Sequence, residues 1–189
     1  MLGNGLKQIL RRQISREERQ MTQAERSASD AVLTSQLIHF MSFLHVTTVM
    51  LFSPFGTEPD LKPVFDTCLA AGKHIVLPRM TQGSMLECRE YLDGKGMILG
   101  SYGILEPGND CPLVERDKID FILVPAVCYD EQGGRLGRGA GYYDRFLTGY
   151  TGLTVGLCRS RFLQKTLPLE PHDIRVKTVV TEERVIQCE

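Results

Sequence analysis

The sequence predicts an α/β fold: one three-layer domain over residues 1–189, with a mostly parallel central sheet flanked by helices on both faces. Three observations support this prediction. Strand-like and helix-like segments alternate along the chain, the strand-like segments are apolar throughout, and no long linker or internal repeat divides the sequence. Alternation of this kind is typical of α/β sheets, and parallel strands covered on both faces have this continuous apolar character.

Two helices are predicted before the first strand. In the first, apolar residues recur at helical spacing: Leu6, Ile9, Leu10 and Ile14. We expect this stripe to form one face of an amphipathic helix and the surrounding lysine and arginine residues to cover the other. A second helix is expected to begin near Thr22, which forms a T-x-x-E capping box with Glu25, and to run to about Phe40.

The remaining elements alternate in type. Strands are expected at 46–54, 74–80, 119–130, 153–160 and 177–186. Helices are expected at 59–73, between Pro59 and Gly72, from Tyr142 onward, and briefly after the strand at 153–160. The glycine-rich segment 81–110 is expected to form a small hairpin followed by a loop.

Composition excludes several classes of protein. The formal net charge is −1, which gives no overall attraction for nucleic acid or an anionic membrane. The six cysteines include no C-x-x-C pair, so reduced thiols are expected, with Cys68, Cys128 and Cys158 as core residues. The chain shows no secretory signal pattern and no run of about 18 apolar residues. We therefore expect a cytoplasmic monomer that binds neither nucleic acid nor membrane.

The most informative segment is GGRLGRGAGYYDRFL, directly after the most hydrophobic predicted strand. Glycines at 137, 139 and 141 allow backbone N–H groups to converge on an anion, and the following helix adds the positive end of its dipole. Arg135 and Arg138 supply planar groups that suit phosphate oxygens. The segment matches neither the Walker motif nor the dinucleotide motif. It predicts a triphosphate-binding loop beyond the carboxyl end of a strand.

Three side chains beside the glycines have two interpretations each. Asp144, in the first turn of the predicted helix, is either a partner of the helix dipole or a Mg²⁺ ligand near phosphates. Tyr142 and Tyr143 either pack the helix against the sheet or present their rings and hydroxyls to a ligand. Because neighbouring helical residues point about 100° apart, one tyrosine in each role is expected.

The longer segment VPAVCYDEQGGRLGRGAGYYDRFL resembles the signature of the 5-formyltetrahydrofolate cyclo-ligase family, in which a strand ending in V-P and an Asp-containing turn precede R-L-G-R-G-x-G-Y-Y-D. Other segments are similar to further family motifs. KQILR resembles the K-x-x-x-R of the first helix, LFSPFGTEPDL an acidic turn, and GSYGILEP the motif y-G-i-x-E-P. LPLEPHDIRVKTVVTEE resembles the family's ending, so the likeness extends over almost the whole chain.

The resemblance implies an ATP- and Mg²⁺-dependent ligase that closes 5-formyltetrahydrofolate, with or without a polyglutamate tail, to 5,10-methenyltetrahydrofolate. ADP and phosphate would be released. Because an N-formyl oxygen is a poor leaving group, phosphoryl transfer from ATP would give a phosphorylated formyl intermediate that the folate N10 attacks. Such a step depends on neutralising charge at the γ-phosphoryl group more than on a protein nucleophile.

The resemblance also implies roles for three sets of residues. The expected nucleotide-binding residues are Lys7, Arg11, Arg135, Leu136, Gly137, Arg138, Gly139, Ala140, Gly141, Tyr142 and Tyr143. Arg138 and Tyr143 are also predicted to act in catalysis. The expected folate-binding residues are Phe52, Phe55, Glu58, Tyr102, Arg138 and Tyr142. Among them, Phe52, Phe55 and Tyr102 are chosen because aromatic rings can form apolar walls for a flat pterin, and packing in the core is the alternative for these three. Asp144 and Asp173 are the expected Mg²⁺ ligands.

Two positions near these motifs need a separate interpretation. Glu58 matches an acidic residue that accepts hydrogen bonds from the pterin, and Asp60 in the same turn is the alternative. Lys177 stands where many family members have an acidic residue. Pairing of Lys177 with Asp173 would account for this departure.

Two other functions compete with the ligase. Glycine- and arginine-rich loops of α/β sheets bind many phosphates, so a sugar-phosphate isomerase or transferase is one alternative. It needs no ATP, and it gives Lys7, Asp144 and Asp173 no shared purpose. A non-catalytic phosphate- or folate-binding module is the other alternative, against which the presence of both aspartates argues.

Overall fold

The computed structural model describes residues 2–188, without the side chains of residues 2–4 and 101. The helices are α1 (Leu2–Gln20), α2 (Gln23–Ser42), α3 (Lys62–Ala70) and α4 (Tyr142–Leu147). The strands are β1 (Thr48–Met50), β2 (His74–Thr81), β3 (Met85–Glu90), β4 (Met97–Leu99), β5 (Leu105–Pro107), β6 (Phe121–Val124), β7 (Cys128–Tyr129), β8 (Arg135–Leu136), β9 (Leu153–Leu157), β10 (Thr178–Val180) and β11 (Val185–Gln187).

Seven strands form the central sheet, in the order β11-β10-β9-β6-β1-β2-β3. The inner strands from β10 to β2 run parallel to one another. The two edge strands, β11 and β3, are antiparallel to their neighbours. Two short ribbons, β4–β5 and β7–β8, lie outside this sheet. The predicted α/β fold with a mostly parallel sheet is confirmed.

Helices cover both faces of the sheet because neighbouring strand residues point in opposite directions. Met50 belongs to the buried cluster that contains Ile14 of α1 and the apolar residues of α4. Val49, the preceding residue of β1, belongs to the cluster that contains Leu37 of α2 and the apolar residues of α3. The three predicted layers are therefore present, with α1 and α4 on one face and α2 and α3 on the other.

Helix α1 buries a different face from the one that its apolar stripe predicts. Ile14 is buried, but Leu6 and Ile9 are 55% and 62% exposed. Lys7 is only 5% exposed, and Arg11 is half-buried. The expectation that the basic residues form the outer face is wrong for these two. A buried charge is tolerated when it is paired, and Lys7 contacts two carboxylates from the far end of the chain.

The start of α2 is confirmed, whereas that of α3 differs from the prediction. Thr22 accepts a hydrogen bond from the Glu25 N–H, and the Glu25 carboxylate accepts one from the Thr22 N–H, as a capping box requires. Helix α3 begins later than Pro59, with Pro63 in its first turn. Gly72 follows the end of α3 with φ +67°, a conformation that glycine adopts without strain.

Three of the predicted β segments are divided more finely than expected. The strand predicted at 119–130 is divided into β6 and β7. Strand β6 ends before Pro125, which has no N–H to donate to the sheet, and β7 pairs with β8 outside the central sheet. The strand predicted at 177–186 contains a turn in which Thr181 Oγ1 accepts from the Arg184 N–H, giving the β10–β11 hairpin. The segment 81–110 contributes to two hairpins, β2–β3 and β4–β5.

The cysteines behave as core residues. The predicted burial of Cys68, Cys128 and Cys158 is confirmed, and all six cysteines are free thiols. Burial raises the pKa of Cys158 to about 12, which keeps this thiol protonated at neutral pH. Within residues 2–188, no helix combines the length and the apolar character that crossing a bilayer would require.

Candidate active site

A cavity of about 570 Å³ lies beyond the carboxyl ends of the parallel strands. Its walls come from the residues after β1 and β6, the second half of β2, helix α1, the segment 135–145 and the loop 170–173. Its volume is within the range of small-molecule sites, and the edge of the sheet is where α/β folds bind ligands. All of the predicted site residues line this cavity except Phe55 and Tyr102.

Arg135 is the buried centre of the glycine-arginine segment. Its Nη2 donates to Asp144 Oδ2 at 2.7 Å, and its Nη1 donates to the Pro125 carbonyl at 3.4 Å. The guanidinium lies 5.8 Å from the centre of the Tyr143 ring, and Nε is buried without a partner among the described residues. A Cβ at Gly137 would approach Arg135 Nη1 to 2.6 Å, so glycine lets the loop pass over the guanidinium without displacing it.

Arg11 fastens helix α1 to the same loop. Its Nε donates to the Gly137 carbonyl at 2.7 Å, and its guanidinium lies beside Gly139. Gly139 and Gly141 have φ values of +106° and +70°, and Gly141 caps the amino end of α4. The backbone conformation of the loop therefore depends on glycine at these positions. A basic side chain of the first helix lies directly over it.

Lys7 forms a buried charge cluster with the loop before β10. Its Nζ donates to Asp173 Oδ2 at 2.5 Å and to Glu170 Oε2 at 3.0 Å. Burial alone lowers the pKa of Lys7, but the hydrogen bonds to Asp173 and Glu170 outweigh it and raise the pKa. Burial alone raises the pKa of Asp173, but the hydrogen bonds from Lys7 and the Glu170 N–H outweigh it and lower the pKa. Lys7 and Asp173 are thus both ionised at neutral pH.

Asp144 and Asp173 lie at the same wall of the cavity. Asp144 Oδ1 accepts from the N–H of Ile174, the residue directly after Asp173, at 3.3 Å. Within residues 2–188, no three or more histidine, cysteine, aspartate or glutamate side chains gather into a metal cage. Mg²⁺ is usually held by one or two carboxylates together with phosphate oxygens and water. Two carboxylates beside an arginine-lined loop therefore fit Mg²⁺ that is bound together with phosphates.

The turn after β1 brings Glu58 to the glycine-arginine segment. Glu58 Oε1 accepts from Arg138 Nη2 at 2.8 Å, and Oε2 accepts from the Phe55 N–H at 2.9 Å. The Arg138 guanidinium also lies over the Phe55 ring, 5.6 Å from its centre. Asp60 instead accepts from the Lys62 N–H at 2.9 Å at the start of α3. Of the two alternatives, Glu58 is the one that lines the cavity.

Of the three aromatic residues predicted to form apolar walls for folate, one lines the cavity and two do not. Phe52 is buried and lines the cavity. Phe55 is 39% exposed and packs on Arg138 outside the cavity lining. Tyr102 is 71% exposed in the turn between β4 and β5, whereas Ile104 and Leu105, which follow the turn, line the cavity. Sequence reasoning identified this hairpin but selected a residue that is exposed and does not line the cavity.

The family comparisons agree with this geometry. The model described as "5-formyltetrahydrofolate cyclo-ligase family" matches residues 4–182. The chain belongs to this family. The resemblance recognised in the sequence is confirmed, and the chain is an enzyme of the cyclo-ligase family.

Named relatives extend over most of the chain. A 5-formyltetrahydrofolate cyclo-ligase of Mycolicibacterium smegmatis is 32% identical over 179 residues, which are 88% of this chain and 92% of the relative. One of Escherichia coli is 28% identical, covering 91% and 98% of the two chains. The NMR structure of Aquifex aeolicus 5,10-methenyltetrahydrofolate synthetase superposes with a TM-score of 0.82 at 32% identity, covering 96% of this chain and 92% of that one.

The two tyrosines of the cyclo-ligase signature differ in their surroundings. Tyr142 lies under the Arg145 guanidinium, which is 5.8 Å from the ring centre. The Tyr143 hydroxyl is buried without a hydrogen-bond partner among the described residues, and burial raises its pKa. Arg145 was not predicted as a site residue, although its i+3 spacing from Tyr142 was visible in the sequence. It donates to the carbonyls of Ala140 at 2.6 Å and Ser84 at 2.9 Å, which joins the loop to the β2–β3 turn.

Two further residues near the candidate site were missed. Arg159 is 3% exposed and donates to Asp30 Oδ1 at 2.6 Å and to the Thr57 carbonyl at 3.0 Å. It thereby holds the turn that carries Glu58. Glu106 of β5 is 4% exposed and lines the cavity. No pattern in the sequence indicated a role for Arg159, whereas Glu106 stands in the segment GSYGILEP that resembles a family motif.

The pairing suggested for Lys177 is wrong. Its Nζ donates to the carbonyl of Thr151, and the carboxylate of Asp173 pairs with Lys7 instead. His172, beside Asp173, is largely exposed and lies 4.0 Å from the Asp173 carboxylate. The departure at Lys177 from the cyclo-ligase pattern therefore leaves the charge cluster at Lys7 intact.

Proposed function

We propose that this protein converts 5-formyltetrahydrofolate to 5,10-methenyltetrahydrofolate in an ATP- and Mg²⁺-dependent reaction that releases ADP and phosphate. The observation that carries the proposal is the composition of one cavity. A glycine loop lined by Arg11, Arg135 and Arg138 lies beside the carboxylates of Asp144 and Asp173. The lining of the same cavity also includes the apolar side chains of Phe52, Met80 and Leu86, against which a flat ring could pack.

Bound ATP would supply the phosphoryl group that converts the formyl oxygen into a leaving group, and Mg²⁺ would neutralise phosphate charge. Arg135 is fixed by Asp144 and the Pro125 carbonyl, so its position is set before any ligand binds. Arg138 is more exposed and can shift toward a ligand. Preorganised cations of this kind stabilise developing charge without reorganisation during the reaction.

Lys7 acts on the site through its partners, because both of its hydrogen-bonded carboxylates already neutralise its charge. The hydrogen bond from Lys7 keeps Asp173 ionised and holds its carboxylate at the wall of the cavity. Asp173 and Asp144 are the residues that would hold Mg²⁺. Lys7 is therefore a positioning residue as well as a link between α1 and the loop 170–173.

The folate side of the cavity excludes water with Phe52, Met80 and Leu86. The Tyr143 hydroxyl has no partner among the described residues, so it is available to donate to an oxygen of the reacting formyl group. Arg138 links this side to the phosphate loop through Glu58. These contacts support catalysis by positioning and charge neutralisation and require no protein nucleophile.

The proposal is tested by mixing the purified protein with 5-formyltetrahydrofolate and MgATP and following the ultraviolet absorbance of the methenyl product. We expect product only when folate, ATP and Mg²⁺ are all present, with one ADP formed per product. Arg11→Ala should raise the KM for ATP, whereas the matched control Arg12→Ala, at an exposed neighbouring position, should not. Product formation without ATP, or no product at all, would refute the proposed reaction.

A further inference from the structure

Glu106 is a buried carboxyl group in the apolar part of the cavity. Glu106 belongs to β5 and is 4% exposed. It lines the cavity together with Met80 of β2. A Cβ at Gly100 would overlap the Glu106 carboxyl group, so the hairpin makes room for this side chain with a glycine. Its neighbours in the lining include Leu86, Ile104 and Leu105. The carboxyl group is thus fixed by the backbone in otherwise hydrophobic surroundings.

The hydrogen-bonding capacity of Glu106 is only partly used. Burial raises the pKa of its carboxyl group, an effect that a hydrogen bond from the Met80 N–H and the charge of Arg79 offset in part. None of the described side chains donates a hydrogen bond to it, and Arg79 itself donates to Asn109 at 2.5 Å. A carboxylate offers about four acceptor positions. Acceptor capacity therefore remains for a ligand.

Glu58, another glutamate of the cavity lining, is already engaged. One of its oxygens accepts two hydrogen bonds from Arg138, at 2.8 and 3.2 Å. The other accepts from the Phe55 N–H. Its negative charge is therefore balanced by a cation, whereas Glu106 has no such partner among the described side chains. A buried acid without a partner is unfavourable unless a bound ligand supplies donors.

We propose that Glu106 binds the aminopyrimidinone edge of the pterin ring, accepting hydrogen bonds from its 2-amino group and its N3–H. These two donors are adjacent and parallel, which matches the two oxygens of one carboxylate. Glu58 then holds Arg138 at the junction with the phosphate loop. This inference rests on the proposed folate-dependent function and adds the residue that recognises the pterin.

The test compares two ligands in two proteins. Dissociation constants are measured by calorimetry for 5-formyltetrahydrofolate and for an analogue in which a methyl group replaces the 2-amino group. In the unsubstituted protein, the analogue should bind roughly 10- to 100-fold more weakly, as expected for lost hydrogen bonds to a charged group. In Glu106→Ala the two ligands should bind with nearly equal affinity, because the partner of the amino group is gone.

Variants and controls separate binding from folding. Glu106→Gln keeps the shape of the side chain and should raise the KM for folate while leaving the KM for ATP unchanged. Glu90→Gln, on strand β3 and outside the cavity lining, is the matched control. If the ratio of the two dissociation constants in Glu106→Ala is the same as in the unsubstituted protein, the role of Glu106 is overturned. The proposed function still holds in that case if the unsubstituted protein is active. An unsubstituted protein that binds no folate would overturn both.

Discussion

The Arg138 guanidinium donates two hydrogen bonds to a single oxygen of Glu58, from Nη2 at 2.8 Å and from Nε at 3.2 Å. The Arg138 side chain is 56% exposed, whereas that of Glu58 is 11% exposed. One residue belongs to the segment expected to bind phosphates and the other to the turn expected to bind folate. Their ion pair connects the two halves of the cavity, so a substitution in one half should alter ligand binding in the other.

We expect Arg138→Ala to lower kcat by roughly 10²–10³, because a cation near the developing charge is lost. Glu58→Gln should weaken the anchoring of Arg138 and lower kcat by a smaller factor. Since the two side chains contact each other, their effects should not multiply in the double variant. Steady-state kinetics of the four proteins measures this coupling. Fully multiplicative effects would show that the ion pair plays no part in the reaction.

Lys7→Met should destabilise the fold strongly. The substitution leaves the carboxylates of Asp173 and Glu170 without their cation, at a site where Lys7 is 5% exposed. We expect the free energy of unfolding to fall by about 3 kcal/mol, the low end for a broken buried pair, because Glu170 is partly exposed. Urea unfolding measures it. The control is Lys62→Met, which breaks an exposed ion pair with Asp66 and should change stability little. Equal effects of the two substitutions would contradict the burial of the Lys7 cluster.

Arg159→Lys should disturb folate binding from a distance. Arg159 donates to Asp30 and to the Thr57 carbonyl beside Glu58, and a lysine cannot reproduce both hydrogen bonds of the planar guanidinium. The KM for folate should rise several-fold, whereas the KM for ATP should change less. A purely structural role would lower thermal stability without this difference between the two KM values. Arg161→Lys, at an exposed position nearby, is the control.

Glu182 should make stability depend on pH. Its carboxylate accepts from Ser29 Oγ at 2.6 Å and from Ser160 N–H at 2.5 Å. Burial alone raises its pKa, but these hydrogen bonds outweigh it, so the pKa is lowered from its usual value of 4.5. The stabilisation is complete above the unfolded pKa and is lost as the pH falls through the folded pKa.

Glu182→Gln should accordingly lower the free energy of unfolding by roughly 1–2 kcal/mol at pH 7, as expected for weakened hydrogen bonds to a charged group. The difference from the unsubstituted protein should shrink progressively below pH 4.5, where the carboxylate of the unfolded chain is protonated. Chemical denaturation at a series of pH values follows this difference. A difference that stays constant down to pH 3 would contradict the assignment.

Local patterns in the sequence were sufficient for much of the fold. The capping box of Thr22 and Glu25 and the continuous apolar strands depend on neighbouring residues, so α2 and the parallel sheet followed directly. The position of Lys7 could not be read in this way. Its side chain is buried only because Asp173 lies 166 residues further along the chain, and helical periodicity contains no information about that contact.

The residues of the candidate site also differ in whether a local sequence pattern identified them. The glycines and arginines from Arg135 to Gly141 act together within one segment, so their motif identified that part of the cavity. Tyr102 was chosen for its ring, but the direction of its side chain is set by a turn whose conformation the sequence does not display. Glu106 was passed over because a single acidic residue in a glycine-rich segment gives no periodic signal for burial.

The pairing of Lys7 with Asp173 also bears on how the protein is made. The ribosome synthesises α1 first, and at about 5–20 residues per second the 166 residues to Asp173 take roughly 8–33 s. During that interval the lysine has no carboxylate partner and remains hydrated. The first helix can form early on the nascent chain, but the buried charge cluster of Lys7 can form only when synthesis is nearly finished. Assembly of the catalytic cavity should therefore be one of the last events of folding.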